Sequence, residues 1–278
     1  MLKFIATLLL CLLPLQVSAE QPQATMVLSG VMLEQGSNKL SVRFATWLSK
    51  QADYPLAVKY AESYQSLSNT LREHPECLAW TCGAPFIEDH ASDQQQLIAV
   101  PLFNGEPTYH ALVVTRSERH EKTLNDFKGS VFAYSDPRSN SGFIAPSYAL
   151  HQQGIDINVH FRYLMPTGLH EYSIEALLAG LADVACIDEY VFAQYLKLHP
   201  DTKDKLLVLE KLGPFPFTPI VAGRLVSHKT ITRLQQALLD MPNNPEGKEI
   251  LQQLGLDGFV IKQPSFYKPI YDMLQALQ

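Results

Sequence analysis

Positive charge is in short supply: 22 lysines and arginines stand against 28 aspartates and glutamates, a formal net charge of −6. No basic stripe is available to displace counterions from a phosphate backbone, which argues against nucleic acid as a partner. An anionic ligand would have to be held by local donors, because the global field does not attract it. Cysteine is scarce, four in 278 residues, and Cys77, Cys82 and Cys186 lack the closely paired ligand spacing of a zinc site. Beyond the first twenty residues no apolar run is long enough to cross a bilayer. There is no Gly-x-Ser-x-Gly elbow, no Gly-x-x-x-x-Gly-Lys-Ser/Thr loop and no His-Glu-x-x-His helix. His170-Glu171 lacks the second histidine of a metalloprotease, and a Ser141–His170 pair has no acid placed to orient the imidazole. The chain is therefore expected to be neither an enzyme nor a cofactor carrier. Internal repeats and low-complexity linkers are also missing.

The N-terminus is where apolar residues do run together. Lys3 supplies one positive charge, an apolar stretch extends from Phe4 to about Leu15, and Val17-Ser18-Ala19 puts small residues at −3 and −1 before Glu20. That is the layout of a cleaved secretory signal over 1–19, and it predicts a periplasmic protein. Leu8-Leu9-Leu10-Cys11 offers a cysteine to lipidate, but the bulky residues and the short apolar stretch before it argue against a lipoprotein. In an oxidising compartment Cys77 and Cys82 can bridge if the backbone turns between them, and the sequence leaves their state open. Cys186, inside Val184-Ala185-Cys186-Ile187, reads as a packed core thiol.

After residue 24 strands and helices alternate. Met26 to Val31 reads as a strand, and Leu40, Phe44, Trp47 and Leu48 form the stripe of an amphipathic helix. Leu56–Tyr60 is a strand, Tyr64–His74 a helix, and Cys77–Trp80 a short buried strand. Strand-like runs follow at 97–103 and 109–115. A second series begins near Thr123: strand 131–135, helix 141–153, strand 160–164, helix 173–179, strand 183–187 and helix 189–198. The run 206–209 precedes the proline-rich segment 213–217, and helices near 231–239 and 246–254 precede a tail rich in tyrosine and glutamine. This alternation predicts an α/β fold of mostly parallel sheets. The two series predict two lobes, 24–114 and 118–208, with 218–278 returning to the first and a cleft between them.

The most informative segment runs from Asp126 to Gly142. A strand ends near Ser135, Asp136-Pro137-Arg138 makes a turn, and Ser139-Asn140-Ser141-Gly142 opens a helix. Serine and asparagine oxygens accept the unpaired amides of a helix start, and those amides with the helix dipole make an anion site. The same residues also read as a well-capped helix that binds nothing.

This segment resembles the signature of the periplasmic phosphate/phosphite/phosphonate-binding proteins of ABC transporters. There a strand, an Asp-Pro turn and a hydroxyl-rich run ending in Ser-Gly hold the ligand's phosphorus group. Pro107-Thr108-Tyr109 before Leu112-Val113-Val114 is similar to a second family element. Gly168-Leu169-His170-Glu171 with Ala176, Gly180 and Asp183 is similar to a third, and Pro245-Glu246-Gly247 with Leu254 to Phe259 and Tyr267 to a fourth. The resemblance covers most of the chain beyond the signal and implies a type II periplasmic-binding-protein fold. It implies that Ser139, Asn140 and Ser141 grip a small phosphorus oxyanion, that His170 donates to it, and that Tyr109, with Tyr64, closes the cleft. Asp188 or Glu189 would hold an ammonium group if the ligand were an aminoalkylphosphonate, and either also reads as a helix cap. The implied partner is an ABC transporter permease, served by a monomer; a membrane receptor or histidine kinase taking the same closed form as its signal is the alternative. Asn140 departs from the family's usual hydroxyl residue and Phe86 from its common tyrosine. Arg138 would add charge to the grip or face solvent.

Overall fold

The computed structural model describes residues 24–29 and 37–278. The signal over 1–19 and the far end of the first strand expected to reach Val31 lie outside the described residues. Among the described residues eleven strands form two sheets. The first, in the order β11-β4-β10-β3-β1-β2, contains β1 (Ala24–Leu28), β2 (Leu56–Tyr60), β3 (Leu78–Trp80), β4 (Gln96–Leu102), β10 (Ile220–Ala222) and β11 (Gly258–Val260). The second, in the order β7-β6-β8-β5-β9, contains β5 (Thr108–Arg116), β6 (Val131–Tyr134), β7 (Tyr163–Pro166), β8 (Val184–Asp188) and β9 (Leu206–Pro216). The α/β class stands, with mixed sheets. Strands joined through helices pair in parallel, as in β1–β2, β1–β3, β6–β7 and β6–β8. The pairs made by β5, β10 and β11 are antiparallel. The strand at 108–116 therefore belongs to the second sheet, whereas the hydrophobic pattern alone groups it with residues 24–114.

The described helices that cover the sheets are α1 (Ser37–Ala52), α2 (Tyr64–Glu73), α3 (Gly83–Asp93), α4 (Ala145–His151), α5 (Ile157–His160), α6 (His170–Leu178), α7 (Glu189–Leu198), α8 (His228–Asp240), α9 (Pro245–Leu254) and α10 (Lys268–Ala276). The α1 stripe is buried as the pattern predicts, with Phe44 and Leu48 fully inside. Phe44 lies 5.5 Å from the ring of Trp80 and 6.1 Å from that of Phe259, so one helix and two strands share an aromatic core. Ser63 and Ser66 form a reciprocal capping box that starts α2. Helix α9 carries signals at both ends: Asn244 accepts from the Gly247 amide, and Gly255 ends the helix at φ 69°. None of the described helices is long and apolar enough to cross a membrane.

Several elements differ from the sequence expectation. Helix α3 occupies residues to which the sequence pattern assigns no element, and Pro85 is tolerated because first-turn amides have no intrahelical partner. Strand β9 continues through the proline-rich segment, which an edge strand permits because its outward side needs no amide. The strand expected at 160–164 shifts to 163–166, since Asp156 caps the Asn158 amide and starts a short helix first. The tail forms α10, with Ile270 and Met273 buried. Cys77, Cys82 and Cys186 are free and buried, and the extended strand β3 separates the first two.

The chain crosses between the sheets after β4 and again after β9. There the Phe217 amide donates to the Pro107 carbonyl (2.9 Å). Phe217 packs on Phe103, Tyr190 and Tyr109 with ring centroids 5.6–6.0 Å apart. This aromatic knot joins the two crossings to β5 and to the start of α7.

Candidate functional site

The site begins where β6 stops. Ser135 follows the strand, Asp136-Pro137-Arg138 turns, and Ser139 takes the N-cap position of a wide turn over Asn140–Ile144 that runs directly into α4. Ser139 Oγ accepts from the Gly142 amide at 3.0 Å, and the Ser139 carbonyl accepts from both Phe143 and Ile144. Gly142 is required by space: a Cβ there would lie 2.5 Å from Ser135 Oγ and 3.0 Å from Ser139 Oγ.

Three serine hydroxyls converge on one imidazole nitrogen. Nε2 of His170, the first residue of α6, is 3.3 Å from Ser135 Oγ, 3.4 Å from Ser139 Oγ and 3.2 Å from Ser141 Oγ. The Asp188 amide donates to Nδ1 at 3.4 Å. Burial drives the His170 pKa down to about 3, so the ring is neutral at physiological pH. A neutral ring amid hydroxyls, which rotate to suit, can present a set of O–H and N–H donors to an oxyanion.

Asn140 joins this cluster to two other elements. Its Nδ2 donates to the Tyr109 hydroxyl on β5 at 3.0 Å, and its backbone amide donates to Cys82 Sγ at 3.3 Å. Its Oδ1 is buried without a hydrogen-bond partner. The same holds for Oγ1 of Thr81, which precedes Cys82 at the start of α3. Buried polar atoms left unpaired are costly and mark places where a further partner would be accepted. Burial raises the Cys82 thiol to about 11, the Asn140 amide and then those of Ala84 and Gly83 partly opposing the shift. Burial likewise holds the Tyr64 and Tyr109 phenols well above their ordinary range.

The seven residues singled out from sequence all come to this region. Ser139, Asn140, Ser141, His170 and Tyr109 are linked by the contacts above. Tyr64 arrives through its backbone: its amide, the first of α2, donates to Asp136 Oδ2 at 3.1 Å. Asp188 serves as the N-cap of α7, Oδ1 accepting from Tyr190 (2.8 Å) and Val191 (3.2 Å). Burial nevertheless raises its carboxyl to about 7. Glu189 turns away to His110 and Lys211. None of the seven carries a positive charge at neutral pH, and Arg138 directs its guanidinium to Ser68, Glu88 and Asp89 instead of the serines. Ser135, Thr81 and Cys82 are the polar neighbours that sequence reasoning missed. Ser135 stood within the informative segment, but nothing local to Cys82 signals that it will meet Asn140, which is 58 residues beyond it.

A narrow opening bounded by Glu62, Ser63, Tyr64, Asp136, Gly168 and His170 leads towards the cluster. Two larger hollows, one bounded by Phe143, His151, Asp156 and Leu277 and the other by Tyr148, Lys211, Pro214 and Asp272, contain none of the gathered residues.

A family model described as "ABC transporter, phosphonate, periplasmic substrate-binding protein" matches residues 34–267. The chain belongs to this family. Its members are substrate-binding components of transporters. The phosphonates-binding periplasmic protein of Escherichia coli K12 is 24% identical over 238 residues, which span 81% of this chain and 69% of that protein. Among solved structures, a binding protein component of an ABC phosphonate transporter from Pseudomonas aeruginosa superimposes with a TM-score of 0.85 at 21% identity, covering 93% of this chain and 87% of that one. A Prochlorococcus marinus protein in complex with methylphosphonate gives 0.82 at 20% identity, covering 92% and 99%. At such identities the superpositions establish the shared type II binding-protein fold, and the family model carries the membership.

Proposed function

We propose that this family member captures a small phosphorus oxyanion, a phosphonate or close relative, in the periplasm and delivers it to an ABC transporter permease. The observation that carries the reading is the convergence of Ser135, Ser139 and Ser141 with a neutral, buried His170 at one helix start. Ser139, Asn140, Ser141 and His170 hold the oxyanion by hydrogen bonds to its charged oxygens, which are the strong kind in a dry site. Tyr109 backs the Asn140 amide, and Tyr64 lines the entry. Asp188 meets an ammonium group when the ligand carries one. The lobes are the two sheets with their helices, closing across the crossings after β4 and β9. The names of the relatives from Escherichia coli and Prochlorococcus marinus support phosphonate as the class.

The test is calorimetric and thermal titration of residues 20–278 with methylphosphonate, 2-aminoethylphosphonate, phosphite, phosphate, sulfate and simple carboxylates. A ligand a hundredfold above its Kd stabilises the native state by about 2.7 kcal/mol, several degrees for a chain of this size. A shift confined to phosphorus compounds is expected; no shift with any of them would overturn the ligand class. Gly142→Ala sharpens the site assignment. Its methyl must displace the Ser135 and Ser139 hydroxyls, so affinity for the responding compound should fall about tenfold or more, and the overpacking should also cost about 1–3 kcal/mol of stability, which a melt recorded alongside reads separately.

A further inference from the structure

The turn that leads into Ser139 also reaches across to the helices of the first sheet. Arg138 Nη1 donates to Ser68 Oγ on α2 at 2.7 Å. Its Nη2 donates to Asp89 Oδ1 and to Glu88 Oε2 on α3, each at 2.9 Å, and Nε adds a bond to Glu88 Oε2 at 3.2 Å. Asp89 is 4% exposed, and its other oxygen is bonded to the Ser68 hydroxyl and to Gln95 Nε2. Two residues earlier, Asp136 accepts from the Tyr64 amide at the start of α2 (3.1 Å) and from the Arg138 amide (2.7 Å). The acid of the turn thus sits at the positive end of α2, while its base is held by a carboxylate pair on α3.

We propose that Arg138 is a positioning residue for ligand capture: its ion pairs clasp the first sheet onto the Ser139 end of the second and set the population of the closed form. This rests on the reading that Ser139 and Ser141 hold the ligand. Arg138 is adjacent to Ser139 in the chain, so a ligand ordering that helix start also orders the clasp, and the clasp holds the seat together. Apparent affinity scales with the fraction of protein in the competent state, and unpairing a buried charge partner is the costly way to lose that fraction.

The experiment compares the chain with Arg138→Gln, Arg138→Lys, Asp89→Asn and the double variant Arg138→Gln/Asp89→Asn. Methylphosphonate affinity is read by calorimetry and the radius of gyration by small-angle X-ray scattering, with and without ligand. Arg138→Gln is expected to weaken binding about tenfold or more and to enlarge the particle. Arg138→Lys should recover part of both effects, and the double variant should lose clearly less than the sum of the two single losses, because the pair is coupled; strict additivity would overturn the pairing as the source of the effect. Affinity within twofold of the parent together with unchanged scattering in Arg138→Gln would overturn the clasp. If the parent binds no phosphorus compound, the ligand reading fails, and scattering of the free proteins then decides the clasp: an enlarged Arg138→Gln supports it and an identical one overturns it.

Discussion

Replacing Ser139 and Ser141 together by alanine should reduce affinity for the phosphorus ligand by a factor of about a hundred to ten thousand. A hydrogen bond to a charged group contributes roughly 1.5–3 kcal/mol, two are removed, and each 1.4 kcal/mol is tenfold in Kd. Ser139 also caps its helix start through the Gly142 amide, so about 1 kcal/mol of stability goes with it. Ser141 has no such duty, and Ser141→Ala alone separates the two effects. Isothermal titration of each variant, with a melt recorded alongside, is the check. A double variant whose affinity stays within tenfold of the parent would remove these hydroxyls from the site.

The second large effect is in the pH dependence of stability, where His170 and Asp188 act in opposite directions. His170 has its folded pKa lowered from 6.5 to about 3 by burial. Between those values the unfolded chain holds a proton that the folded chain lacks, so this residue makes stability fall as pH drops. Asp188 has its folded pKa raised from 3.8 to about 7 by burial. Between those values the folded chain holds the extra proton, so this residue makes stability fall as pH rises. Each slope is about 1.4 kcal/mol per pH unit, and between about pH 4 and 6.5 they largely cancel. Asp188→Asn keeps a capping side chain and should leave the His170 slope exposed, losing roughly 3 kcal/mol relative to the parent on going from pH 6.5 to 4. His170→Gln should show the reverse, losing stability relative to the parent as pH rises over the same window. Urea unfolding of the three proteins at half-unit steps is the measurement. Three parallel curves would mean that neither group is neutral and buried in the native state.

What could be read locally and what could not divide along physical lines. The Ser139–Gly142 helix start was legible because capping is a contact between residues three apart, and the proposed anion seat uses the same local atoms. The α1 stripe was legible because helical periodicity is a local property. The placement of strand 108–116 was not, since an apolar run does not specify its neighbours and only pairing with β8 and β9 decides. Helix α3 was hidden by Gly83 and Pro85, residues that read as a turn until the strand before them is paired on both sides.

Residue order was enough to set the α/β alternation, the family, and the short-range chemistry of Ser139, Asn140, Ser141 and the start of the His170 helix. Folding in three dimensions was needed to bring Ser135, Ser139 and Ser141 to one imidazole nitrogen, to face Cys82 towards Asn140 instead of bridging it to Cys77, and to seat Arg138 on α3. These contacts join residues from 29 to 58 positions apart. Periodicity and capping carry no information at that range. There the outcome depends on which strands pair and on where buried polar groups find partners once water has been excluded.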